Sequence, residues 1–354
     1  MPAEAPAQGI AAARLEAAAR RILEGLGAGA AEAQAVAEDL VAADLEGLGS
    51  HGVMLLPMYA RRLAAGSVAG HGQGHVVSDR GVAMVLDGGN ALGQPVARHA
   101  ADLAAARARE QGAGIVAVRN IFHFGAARLY ARRMAAQGCI GIVSCNTRPL
   151  MPAPGGAEPL TGNNPLAIAA PAQGDIFPEV DMALSASAMG RIRLAEAAGE
   201  AIPEGWAADA QGRPTTDPAA AIAGMLLPAA GAKGFGLAFM LDLLCGGLSD
   251  GAIGAEVGPL YGDPARPYAS SALFMAIDTG HFVASDRVAA RAAGELARAS
   301  ASRPAPGVAQ VHGPGARGAA RRAASAGHVT LPAGTITALD EAARLAGVKL
   351  DLPV

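Results

Sequence analysis

Residues 114–145 read GIVAVRNIFHFGAARLYARRMAAQGCIGIVSC, and the fold class turns on this stretch. Its opening run, 114–118, is short and apolar and is soon closed by Asn120, which is how a buried strand is bounded. Residues 126–137 carry alanine, leucine, tyrosine and methionine among arginines, a helical pattern. A second apolar run, 140–144, follows the glycine at 138. Strand, helix and strand in so short a span predict an α/β or α+β domain. Outward from it the texture continues, with apolar runs at 82–86 and 166–170 and a helical stretch at 94–111.

The two ends of the chain have another texture. Leu15, Ala19, Ile22 and Leu23 recur at helical spacing, the glycines at 27 and 29 break the run, and Val36, Leu40, Val41 and Leu45 resume it. From about residue 285 the chain is alanine-rich and helical again, with a last helix near 336–346. The expectation is one helical domain built from residues 1–74 and 285–354, enclosing a sheet-containing domain of residues 75–284. Two long segments, 145–165 and 200–218, read as loops, the second holding the single tryptophan, Trp206. Loops of that length inside a compact protein are commonly functional.

Composition narrows the function classes. Of 354 residues 51% are hydrophobic and 17% charged, too apolar for a disordered chain. Net charge is −3 and aromatics make up 3%, without a basic block, so no nucleic-acid partner is expected. Cys139, Cys145 and Cys245 form no CxxC pair, which fits a reducing cytoplasm. Charges interrupt the N-terminal residues, so no secretion signal is expected there. The apolar stretch 235–248 is too short for a bilayer and contains Asp242, so no membrane partner is expected either.

Common motifs are missing: GxGxxG after a strand, GxxxxGK[ST] and HExxH do not occur. No metal site is expected, because the histidines are dispersed. Two histidines stand out by context. His51 lies in Ser50-His51-Gly52, where the second helix ends, and can face a cleft or simply meet the helix dipole. His123 lies between Phe122 and Phe124 at a strand-to-helix transition, where burial can tune an imidazole for acid/base work. The alternative is a core histidine satisfied by backbone. The run 229–236, AAGAKGFG, precedes a helix; its glycines and free N–H groups, with Lys233, suit an anion. Taken alone it also reads as an ordinary turn, and Asn163-Asn164-Pro165 as a turn or cap.

Taken in order, these segments resemble the malate/L-lactate dehydrogenase family of the non-Rossmann kind. The matching pieces are SHGV at 50–53 with Tyr59, HFGAA at 123–127, CNTRPLMPAPGGAEPLTGNNPLAIAAP at 145–171 and DMALSASAMG at 181–190. IPEGWAADAQGRPTTDP at 202–218 and LLPAAGAKGFGLAFMLDLLCGGLSDG at 226–251 complete them. The resemblance implies an NAD(P)-dependent oxidoreductase with a largely antiparallel cofactor-binding sheet, which explains the missing GxGxxG. It implies a homodimer acting on a small carboxylate substrate, interconverting a 2-oxo acid and a 2-hydroxy acid. His123 would be the general acid/base, with Ser50, His51 and Tyr59 lining the pocket. Phe124, Gly125, Asn146, Asn164, Pro165, Asp181, Ser185, Lys233 and Gly234 would hold the cofactor.

Departures from the family pattern matter equally. The arginine common four residues after the SHG histidine is Leu55 here, and another just upstream is Glu46. A usual threonine is Leu184, and GTNP is Gly162-Asn163-Asn164-Pro165. Leu55 cannot bind an anion, so Arg148 is the candidate replacement for gripping the substrate carboxylate, with Arg61 and Arg62 as second choices. Arg191 and Arg193 could face an adenosine 2′-phosphate, which leans the cofactor choice between NAD and NADP toward NADP. Two other readings remain: a reductase of cyclic imino acids, whose flatter substrate Leu55 would suit, and a catalytically weak nucleotide-binding protein.

Overall fold

The computed structural model describes residues 9–350 and Leu352. Residues 1–8, part of the stretch read for a secretion signal, lie outside the described residues. No helix among those described is long and apolar enough to cross a membrane.

Helices α1 (Ala12–Gly25) and α2 (Ala30–Leu45) form where the helical spacing places them, and α3 (Leu56–Ala64) starts with Pro57 in its first turn, where a missing N–H costs nothing. The chain then enters a sheet. Strands β1 (His75–Arg80) and β2 (Ala83–Asp87) form a hairpin. Helix α4 (Gly93–Gln111) crosses to β3 (Ala113–Ile121), which pairs parallel with β2. Helix α5 (Arg128–Ala135) leads into β4 (Cys139–Cys145), followed by β5 (Leu166–Ala169) and β6 (Glu179–Met182).

The last strand, β7 (Ser270–Asp278), inserts between β3 and β4, giving the order β1-β2-β3-β7-β4-β5-β6. Every neighbouring pair except β2–β3 is antiparallel, as the family resemblance implied. Phe274 of β7 stands opposite both Val116 and Val143 and is wholly buried. The alternation of side chains along each strand places Val116, Val118, Val143 and Phe274 in one cluster with α4 and α5. Ala97, Ala100, Ala101, Ala104 and Ala108 of α4 all have zero exposure, so their small side chains let the helix lie close on the sheet. Each large apolar side chain buried here contributes about 1.5–3 kcal/mol.

The two long loops carry short pairings of their own. Met151–Pro152 pairs with Pro159–Thr161, and Ala207–Ala208 pairs with Pro214–Thr215 and Met225–Leu226. Helices α6 (Met189–Ala198), α7 (Pro218–Ala223) and α8 (Ala232–Asp242) surround a satellite core of Met151, Leu184, Ile192, Ile202 and Leu226, on which Trp206 packs. The helix expected after the 229–236 run is α8, which already starts at Ala232 within that run and ends in a π-helical turn, Leu243–Gly247. Helices α9 (Ser285–Ser300), α10 (Ala316–Ala324) and α11 (Ala333–Leu345) close the chain. Leu339, Ala342 and Ala343 of α11 join Leu15, Ile22, Leu23, Leu40 and Val41 in one cluster, and Ile10–Ala11 pairs with His328–Val329. Both ends of the chain therefore share a core.

Candidate active site

His123 follows β3 immediately, carried on the loop 122–127 before α5. Phe122 is 1% exposed, meets the Tyr59 ring edge-on at 5.0 Å and has the Arg62 guanidinium 5.8 Å from its ring centre. Arg62 is itself 1% exposed and donates to the carbonyls of Pro259, Leu260 and Arg266. The expectation of a surface arginine able to seek substrate is corrected at this position: its donors are already used by the 259–266 loop. Phe124 is also turned inward, with its ring against Tyr130 and Phe274 at 5.4 and 5.9 Å, so its side chain packs the core rather than facing a cofactor.

The loop is pinned from below. Tyr130 donates to the Phe124 carbonyl at 2.6 Å and lies 2.9 Å from Asp39 Oδ2, while Arg98 donates to Asp39 Oδ1 at 2.6 Å. Asp39 is buried on α2, so this chain ties the helical layer to the His123 loop.

Around the imidazole, Tyr59 Oη sits 2.8 Å from His123 Nδ1 and 3.0 Å from the His123 carbonyl oxygen. Gln94 Nε2, wholly buried at the start of α4, donates to the same hydroxyl at 3.0 Å. The hydroxyl has one proton to give and the carbonyl can only accept it. Gly125 N–H also points at Nδ1, from 3.4 Å, so Tyr59 and Gly125 together occupy this ring nitrogen. Proton exchange is left to Nε2. Burial first, then the neighbouring His51 charge, lowers the His123 pKa to about 3, so the ring is neutral at ordinary pH.

His51 lies on a 3₁₀ turn, Gly49–His51, with Ser50 Oγ 3.0 Å from its Nδ1. Its ring lies 6.1 Å from that of His123, at 22° between planes. Burial lowers the His51 pKa, Asp181 raises it, and Arg128 lowers it again. Asp181 was expected at the cofactor; its carboxylate accepts the N–H of Arg128 at 3.1 Å and lies within electrostatic reach of His51. Asp44, on the last turn of α2, accepts the Val53 N–H at 2.8 Å and so holds the segment after His51; burial pushes its pKa up to about 6.

Several other expected positions have different surroundings. Leu55 is 2% exposed and packs in the helical core, so it forms no wall of an open pocket. Asn146 and Asn164 are wholly buried and use their amides internally: Asn146 bonds Asp242, Ala252 and Ser271, and Asn164 bonds Thr147 and Ala238. Their side chains shape the loops rather than offering free groups. Ser185 donates to the Ser187 carbonyl, and the Pro165 carbonyl accepts from Ser144. Arg148 is exposed, donates to the Pro149 carbonyl at 3.4 Å, and its charge reaches Tyr268, which packs on Phe122. Arg191 and Arg193 are exposed on α6.

The turn before α8 fits a nicotinamide dinucleotide. Ala230 and Gly231 have φ of 53° and 60°, and a Cβ at Gly234 would stand 2.0 Å from the Ala229 carbonyl oxygen. The backbone there is as close to itself as glycine permits, and the first N–H groups of α8 are free for an anion. Exposed Lys233 stands beside them. It is one of two lysines in the chain, where the other 26 of its 28 Lys and Arg are arginine. Among the described residues no cluster of histidine, cysteine or acidic side chains could hold a metal. Sequence reading missed Gly93, Gln94 and Asp39, since nothing local distinguishes them from helix residues.

Comparisons with known proteins agree with this fold. The profile of the malate/L-lactate dehydrogenase family matches residues 10–340. A (2R)-3-sulfolactate dehydrogenase (NADP(+)) of Chromohalobacter salexigens is 38% identical over 260 residues, 73% of this chain and 78% of its own. The solved sulfolactate dehydrogenase of Methanocaldococcus jannaschii superposes with a TM-score of 0.91 at 31% identity, covering 97% of this chain and 98% of that one. A delta1-piperideine-2-carboxylate reductase of Pseudomonas syringae pvar.tomato does so with a TM-score of 0.84 at 30% identity, covering 95% and 99%.

Proposed function

Because the chain belongs to the malate/L-lactate dehydrogenase family and is an NAD(P)-dependent oxidoreductase, we propose that it interconverts a 2-oxo acid and a 2-hydroxy acid with His123 moving the proton. The observation that carries this reading is the His123–Tyr59–Gln94 arrangement, which fixes Nδ1 and leaves Nε2 to a substrate. A bound nicotinamide cofactor supplies or accepts the hydride at the substrate carbon. In reduction, negative charge grows on the carbonyl oxygen, and the Nε2 proton of a charged His123 neutralises it. In oxidation the neutral ring takes the hydroxyl proton at the same atom. An anionic substrate beside the ring offsets the burial that holds it neutral and so draws the proton in.

The substrate lies, on this reading, between the two expected domains: residues 1–74 supply Ser50, His51 and Tyr59, and residues 75–284 supply His123 and the turn at Lys233. The test is nicotinamide absorbance with NADPH and NADH against pyruvate, oxaloacetate and sulfopyruvate. Turnover with an oxo acid supports the proposal. Turnover confined to piperideine-2-carboxylate or pyrroline-2-carboxylate moves the reading to cyclic imines, which the resemblance to the piperideine-2-carboxylate reductase favours.

Arg148 is the cation proposed for the substrate carboxylate, since Leu55 is sealed in the core and Arg62 is engaged. Arg148→Ala is expected to raise KM for the oxo acid about tenfold to hundredfold, the value of a charged hydrogen-bonded pair, with a smaller change in kcat. An unchanged KM rejects this role.

NADP is the proposed cofactor, through Arg191 and Arg193 at the start of α6. The expected result is a kcat/KM about tenfold higher with NADPH than with NADH, and a preference for NADH refutes it. A homodimer is proposed because α8 and its π turn leave Phe239, Met240, Leu243 and Leu248 between 40% and 55% exposed. Such an apolar strip suits burial by a second copy, and a monomer in light scattering counts against it.

A further inference from the structure

A charged cluster lies behind His51, outside the proton-transfer unit. Glu46, directly after α2 and five positions before His51, is 2% exposed. It accepts from Arg132 Nη1 at 2.6 Å and Nη2 at 3.2 Å, and Arg128 Nη2 stands 3.0 Å away. Arg132 turns its other edge to Glu179, at 2.9 and 2.6 Å. Arg128 and Arg132 are four apart on α5 and share a face, and Glu179 and Asp181 are two apart on β6 and share one too. The Arg128 N–H to Asp181 completes the link.

We propose that Glu46, Arg128, Arg132 and Glu179 form a buried clamp that sets the position of the His51–Asp181 pair, making Glu46 a positioning residue for the chemistry. The inference rests on the reading of this pocket as the site of proton transfer. Two carboxylates buried to 2% and 3% exposure, against guanidiniums still 13% and 21% exposed, cost more than an apolar packing of similar volume would, so stability alone is a poor reason to build them here. Nor is Arg128 optimised as a structural pair: its Nε and Nη2 are buried without a hydrogen bond, Nη2 lying near Glu46 but misaligned for one. What the arrangement secures is location. The end of α2, which leads into the Ser50–His51 turn, is fastened to α5 and β6, and Arg128 is kept beside both Asp181 and His51. Where the family pattern commonly has arginine, this chain has Glu46, and the cations come from α5 instead.

The groups facing His51 are Ser50, the His123 ring, Asp181 and Arg128, with Asp44 beyond at Val53 and Arg322 at the outer side of Glu46, 3.8 Å from it. Removing the Glu46 charge leaves Arg128 and Arg132 less compensated, which disfavours a protonated His51. The experiment follows the His51 ring by NMR titration in the wild type and in E46Q, E46R and E46R/R128E, with kcat, KM and melting temperature alongside. Glu46→Gln is expected to lower the His51 titration by about half a pH unit or more and kcat by about tenfold. Glu46→Arg should be worse, and E46R/R128E should recover kcat only in part, because the new Arg–Glu pair forms while Arg132 still faces a cation. If E46Q changes only the melting temperature, the clamp is structural and the proposal is overturned. If E46R fails to fold, E46Q alone still decides. A shifted titration in a protein that turns over no oxo acid supports the clamp while rejecting the proposed reaction, so the two can fail separately.

Discussion

His123→Ala is expected to lower kcat/KM for oxo-acid reduction by about 10²–10⁴-fold, the range for loss of a positioned general acid. Binding of NADPH, followed by fluorescence, should persist, because the ring is held by Tyr59 and Gln94 rather than by the turn at Lys233. The pH dependence sharpens the test. Burial, with the neighbouring His51 charge, holds the imidazole pKa far below its ordinary value, at about 3. Above that value the charged form becomes tenfold scarcer per pH unit, so kcat/KM for reduction should fall with rising pH across the neutral range. Oxidation needs the neutral ring, already the dominant form, so its profile should stay flat on this limb. A reduction profile that is flat in the wild type, or equally sloped in His123→Ala, rejects His123 as the donor. The same shift enters stability with a definite sign. Folding disfavours the proton on His123, so this group costs stability increasingly as pH falls from about 6.5 toward 3.

The strands at 114–118 and 140–144 were legible because each is a short apolar run between glycines and polar residues, and they appear as the cores of β3 and β4. The order of the sheet was not legible. β7 comes more than a hundred residues after β4, yet it separates β4 from β3, and no local pattern reports which strands will be neighbours. His51, His123 and Tyr59 could be named from motif context, and the structure brings them together around one imidazole. Asn146 and Asn164 could be named too, but sequence does not say whether a polar side chain faces a ligand or pays its hydrogen bonds to a loop. Here they do the latter. Glu46 reads as a loss when seen alone, because a single position hides its partners. Only the fold shows that Arg128 and Arg132 stand opposite.

The second large effect concerns a residue with no side chain. Gly93 opens α4 directly beneath the His123 loop, where an added Cβ would stand 2.3 Å from the Phe122 carbonyl oxygen and 2.5 Å from that of His123. These are backbone atoms, and the loop cannot yield by a rotamer change. It is anchored on one side by Tyr59 at the His123 carbonyl and on the other by Tyr130 at the Phe124 carbonyl. Gly93→Ala must therefore lift the loop, tilt α4 or both. Tilting α4 also moves Gln94, the donor that orients the Tyr59 hydroxyl. Overpacking of this kind costs about 1–3 kcal/mol of stability. A displacement of about 1 Å at the reacting group costs about 10²-fold in rate. The expected variant is folded, with a lower melting temperature and a kcat reduced about a hundredfold, while KM for the cofactor stays near its original value. A Gly93→Ala enzyme with unchanged kcat would mean that the loop has slack at His123, and the fixed placement of Nδ1 would lose its support.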